Sequence, residues 1–183
     1  MEIKITTQQI LNVLLILAWI IFIGLCVEVG TILFGTLYTL IYKPSAGILW
    51  EAIDLTHLYR YDVGHFLVET LLMSIPAIMK ALLFYLIVRI LQEKKLDMVQ
   101  PFNATLGRFI FSIAYLALGI GIFSGWGMKY TKWLMEKGIK LPDIDYLNLD
   151  GGDVWLFMAV ILFIIGQIFK RGIEIQAEHE LTV

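Results

Sequence analysis

The chain has 183 residues, of which 59% are hydrophobic and only 16% charged, with mean hydropathy +0.80. Soluble domains are about 45–50% apolar and about 25% charged, so a water-soluble globule is excluded and lipid is the expected solvent. The net charge of −2 argues against direct nucleic-acid binding. The single cysteine, Cys26, rules out a disulfide within one chain and a cysteine-based metal cluster.

The first apolar run spans Ile10 to Tyr42 and carries one ionisable residue, Glu28. A continuous helix of that length reaches roughly 50 Å, against a hydrocarbon core of about 30 Å. The run therefore predicts a membrane span with tilt or with a stretch standing beyond the bilayer. It is far longer than the about 7–15 residues of a signal-peptide core, so it reads as a retained anchor. Pro44 and Ser45 end it.

Residues 43–62 form the first connection, with Glu51, Asp54 and Asp62 against Lys43 and Arg60; Trp50, Tyr59 and Tyr61 suit an interfacial belt. The second span covers about 63–91 and is interrupted by Glu69, Pro76 and Lys80. The next connection ends on Pro101-Phe102-Asn103. Asn103 is a good helix N-cap and Phe102 a hydrophobic staple. A third span is expected over about 106–123. Its Gly121 and Gly125 make a G-x-x-x-G, which serves either close packing within the chain or a homo-oligomer seam.

Residues 126–153 read as the longest connection, an outer loop of mixed structure with a short surface helix over Tyr130 to Lys137. Gly151-Gly152-Asp153 marks a turn into the last span, about 154–169. Lys170 and Arg171 close that span. An acidic tail, 172–183, follows, and an apolar stripe through Ile168 and Ile175 can keep it helical. The expected architecture is one all-α integral membrane domain, 1–183, a four-transmembrane-helix bundle. Lys and Arg near the span ends (Arg89, Lys94, Lys95, Arg108, Lys170 and Arg171) place both termini and the middle loop in the cytoplasm; the four lysines of the third connection oppose that orientation.

Charges inside a membrane helix cost about 2.5–3.5 kcal/mol on insertion scales, so Glu28, Glu69 and Lys80 need reasons. Lys80, eleven residues before Leu91, falls near mid-bilayer, about 16 Å from that end. Its ammonium leans toward the turn at Pro76, where the carbonyl of Leu72 loses its helical partner. The alternatives are an interhelical ion pair or an ion relay. Glu28 and Glu69 fall toward the outer face, where water at the interface is the bland explanation. His57, His65 and Glu69 are weak metal-ligand candidates without motif-grade spacing. No phosphate loop, nucleophile elbow or zinc-protease motif is present, so neither a cofactor nor an enzymatic reaction is implied.

The tail carries a more specific signal. Phe169, Gly172, Glu174, Gln176, Glu178, Leu181, Thr182 and Val183 resemble the closing signature of a bacterial membrane-protein family catalogued as domain of unknown function twenty-nine seventy-five. Pro101-Phe102-Asn103 resembles that family's Pro-Phe-Ser turn, with Asn keeping the cap. The acid after the cap is missing, since Leu106 stands there. The resemblance implies a four-helix protein of the bacterial inner membrane, encoded beside a small helix-turn-helix regulator. On it rests the expectation of a regulatory or signalling partner, with Lys170, Arg171, Glu174, Gln176, Glu178, Leu181 and Val183 as a docking tail. The alternative is a small transporter, channel or toxin-immunity protein using Glu28, Glu69 and Lys80.

Overall fold

The computed structural model describes residues 7–42, 48–50, 53–93 and 103–180. Helix α1 runs Thr7–Tyr42, followed by a small antiparallel hairpin of β1 (Ile48–Trp50) and β2 (Ile53–Asp54). Helix α2 covers Thr56–Tyr61, α3 Val63–Gln92, α4 Ala104–Glu136 and α5 Gly152–Glu180, with a 3-10 turn at Ile144–Leu147 between the last two. Four of these helices are long and apolar enough to cross a membrane. They pack in chain order, α1 on α3, α3 on α4 and α4 on α5, as an open row within an all-helical bundle.

The last two long helices exceed their expected bounds. The third helix continues thirteen residues past Phe123, to Glu136, and absorbs the expected surface helix. Its extension alternates a buried stripe, Gly127, Thr131 and Leu134, with exposed Lys129, Lys132 and Glu136. That is the pattern of an amphipathic helix, and its charge reads as a loop when composition alone is weighed. The helix then ends in a Schellman motif. Gly138, at φ +85°, donates its N–H to Met135 O, and Ile139 donates to Leu134 O. The fourth helix continues past Phe169 to Glu180, so the tail is part of the rod.

Two helix starts follow from capping. Asn103 Oδ1 accepts from Leu106 N at 2.7 Å, as expected of an Asn cap; Phe102 lies outside the described residues. Asp62 does double duty. Its own N–H closes α2 on Leu58 O, and its side chain accepts from His65 N at 2.8 Å to open α3.

Glycine sets the register between α4 and α5. A Cβ on Gly121 would meet Leu156 Cγ at 2.7 Å and Gly152 O at 2.9 Å, and one on Gly152 would meet the backbone of Gly121 and Gly125 at 3.1 Å. The G-x-x-x-G thus serves an intrachain contact, where α5 begins. Lower down, Gly166 lies under Phe111, and Ile173 lies against Gly107. Because α5 begins level with Gly121 and Gly125, the last eleven residues of α4 stand above it, as does the start of α3. With the hairpin, α2, the upper part of α1 and residues 137–151, they form a cap.

The cap has a core of its own: Leu55, Leu58, Phe66, Leu134, Leu147 and Leu149 are fully buried, joined by Ile32, Met73, Ala77 and Ile139. Burying each large side chain stabilises by about 1.5–3 kcal/mol relative to exposure. Tyr59, expected in an interfacial belt, packs edge-on against Phe66 with centroids 5.3 Å apart. The lower part of the molecule is the opposite. Val13, Ile16 and Ile20 on α1 are each more than 60% exposed, and Phe157 and Val160 on α5 are nearly as open.

Candidate functional site

Two polar sites sit at the cap end. The first lies between α3 and α4. His65 and Glu69 are one turn apart on α3 and face consecutive residues of α4. His65 Nδ1 lies 2.6 Å from Tyr130 Oη, and Glu69 Oε1 accepts from Thr131 Oγ1 at 2.5 Å. The Glu69 side chain is fully buried, and its Oε2 has no hydrogen-bond partner among the described residues. Thr131 also lies 3.0 Å from Gly127 O. A hydroxyl carries one proton, so serving both the carboxyl and the carbonyl leaves the carboxyl underprovided with donors. Two turns along the same face of α4, Ser124 Oγ is likewise buried without a partner.

Aromatic rings close this seam toward the cap. His65 stacks on Tyr61 at 5.9 Å and meets Trp133 edge-on at 5.7 Å, while Tyr130 stacks on Trp133 at 5.8 Å. The ammonium of Lys137 lies 4.7 Å from the centre of the Trp133 ring.

The second site lies between α1 and the 3-10 turn. Glu28, Thr31, Ile53, Tyr146 and Asn148 line a groove of about 320 Å³, and Glu28 Oε1 is buried without a hydrogen-bond partner among the described residues. Lys80 donates to Asn148 O at 3.3 Å rather than to Leu72, and interacts electrostatically with Glu28. Asn148 can present that carbonyl because it adopts the left-handed conformation, φ 54°. Lys80 lies next to Met79, which faces Gly119, close to the level where α5 begins. Its side chain leans toward the start of α3, so the ammonium reaches the floor of the cap.

The three intramembrane candidates therefore divide. Glu28 lines the groove and Lys80 bonds to Asn148 at its wall, whereas Glu69 belongs to the other site, with no ion pair to Lys80 among the described residues. His57 is exposed on α2, away from any cluster. No three of His, Cys, Asp and Glu come together to hold a metal among the described residues, so His57, His65 and Glu69 do not form a metal centre there. On α5, Lys170, Arg171, Glu174 and Glu178 are exposed, Gln176 is half-buried, and Arg171 pairs with Glu174 at 3.1 Å. Leu181 and Val183 lie outside the described residues.

Sequence reading missed Tyr130, Thr131, Ser124 and Asn148. The first three were legible as a helical stripe, with Ser124, Gly127 and Thr131 spaced by three and four. Asn148 carried no signal, because its role depends on a turn folded back onto α3. No protein-family model, curated protein or solved structure matches the chain, and function is read from these two sites and the rod that links the cap to the tail.

Proposed function

We infer that this is a multi-pass protein of the bacterial inner membrane with both termini in the cytosol, working as a regulatory or signalling partner of a small helix-turn-helix regulator. The observation that carries the reading is the continuity of α5. One helix begins at Gly152, locked against Gly121 under the cap, and runs to Glu180. A change at the cap shifts its upper end, and a stiff helix carries that shift to the tail. Lys170 and Arg171 suit anionic headgroups, and Glu174 and Glu178 present charge to a basic partner surface. The family resemblance at the tail supports the same reading.

Co-purification of the neighbouring regulator with the full chain and with a chain lacking residues 172–183 tests it. The full chain is expected to retain the regulator and the shortened chain to lose it; equal recovery from both ends the tail-docking reading. A C-terminal reporter active only on the periplasmic side overturns the orientation.

The electrostatic interaction of Glu28 with Lys80 favours a second reading, a small transporter or channel. Under it, Lys80→Met and Glu69→Gln abolish ion or proton flux in liposomes. Absence of flux in the native protein removes this reading.

A further inference from the structure

A second cavity lies below the Glu28 groove along α1 and α3. On α1, Leu14, Leu17 and Ile21 lie on the same stripe as Glu28, at spacings of three, four and seven; on α3, Phe84, Ile87 and Leu91 lie on the stripe of Lys80. Together with Phe109 and Ile113 of α4, these six residues line this cavity of about 380 Å³. From Glu28 to Leu17 is eleven residues, about 16 Å, which matches one leaflet of a hydrocarbon core about 30 Å thick. A charged upper groove therefore stands one leaflet above a lower one that is purely apolar.

We propose that the two grooves together bind one phospholipid bearing a primary ammonium headgroup, its ammonium on Glu28, its phosphate on Lys80 and an acyl chain against Leu17, Ile21 and Phe84. The charges select the class. A simple cation drawn to Glu28 meets Lys80, and a simple anion drawn to Lys80 meets Glu28. A headgroup carrying both signs satisfies both residues. Glu28 Oε1 also lacks a hydrogen-bond donor among the described residues, which an ammonium with three N–H groups supplies and a trimethylammonium does not. The apolar lower groove distinguishes a lipid from a free zwitterion. The proposal rests on the reading that these helices sit in a bilayer.

The test is native mass spectrometry of the full chain released from vesicles of dioleoyl phosphatidylethanolamine, dioleoyl phosphatidylcholine or dioleoyl phosphatidylglycerol. Wild-type protein is expected to retain the ethanolamine lipid about tenfold better than either other lipid. Glu28→Gln should bring ethanolamine and choline lipids to parity, and Lys80→Met should weaken retention of all three. Ile21→Trp, which fills the lower groove and leaves both charges, should reduce retention of every lipid while preserving their order. Glycerophosphoethanolamine, the same headgroup without chains, should not displace the bound lipid at equal concentration; displacement overturns the assignment to a lipid. Equal retention of ethanolamine and choline lipids by wild-type protein that floats with vesicles overturns the proposal alone. Failure to float with vesicles of any composition overturns the membrane reading and the proposal with it.

Discussion

The two ends of the molecule solve different solvent problems with the same kind of helix. At the cap, Leu55, Leu58, Phe66, Leu134, Leu147 and Leu149 are fully buried, and the chain supplies their whole surroundings. Below it, α1 and α5 leave Val13, Ile16, Ile20, Phe157 and Val160 largely open; under the proposed membrane reading, lipid supplies the rest of their packing. Apolar residues at the cap should therefore carry folding energy. Those on the outward faces of the spans should carry only compatibility with the bilayer.

The largest expected effect is Phe66→Ala, which empties the middle of the cap core. It should cost about 3–5 kcal/mol, read as a fall in thermal midpoint in detergent. Ile16→Ala, on an open face of α1, should leave the midpoint nearly unchanged. Equal losses would erase the distinction between the two ends.

Next comes Gly121→Ala, whose methyl group has to displace Leu156 and the backbone at Gly152. A cost of about 1–3 kcal/mol is expected, together with weaker crosslinking between cysteines placed on α4 and α5. Gly125→Ala, whose added Cβ meets nothing within 4 Å, should crosslink like the parent. The boundary between cap and spans is thereby located at one glycine rather than at the whole motif.

Thr131→Val leaves Glu69 without its hydrogen-bond donor and should cost about 1–3 kcal/mol. The Thr131→Val, Glu69→Leu double variant should recover part of that loss in a double-mutant cycle. A fully additive cycle would mean that the two side chains are not coupled.

The smallest effect lies on the exposed rim. The side-chain and backbone hydrogen bonds from Thr56 hold Asp54 below the usual carboxylate range. Its stabilising contribution is therefore complete above the unfolded-state value and fades as pH falls through the lower folded-state value. Asp54→Asn should flatten the slope of thermal midpoint against pH only on the acid side, with no change near neutrality.

Much of this architecture is written in the sequence, as long runs of apolar residues with few charges. The start of α3, the Asn103 cap and the glycine turn before α5 were all legible. The end of α4 was not: past the apolar run, Lys129, Lys132 and Glu136 on its outer face make it read as a loop, whereas the stripe through Ile168 and Ile175 announced the continuation of α5. Glu69 was legible as a residue needing a reason. Its partner was not, since Thr131 is brought to it only by the register of α3 on α4. The separation of Glu69 from Lys80 was legible as a distance of nearly three turns along α3. The meeting of Lys80 with Asn148 was hidden, because a backbone carbonyl has no residue type to betray it.

Asp62 has a mechanical consequence. It is the whole joint between α2 and α3, closing one helix and opening the next with its own N–H and side chain. There is no slack to absorb an extra residue. One inserted helical residue would turn the two helices out of phase by about 100°. Leu55 and Leu58 would swing away from Phe66, and the cap would lose its seat on the spans although every original side chain was still present.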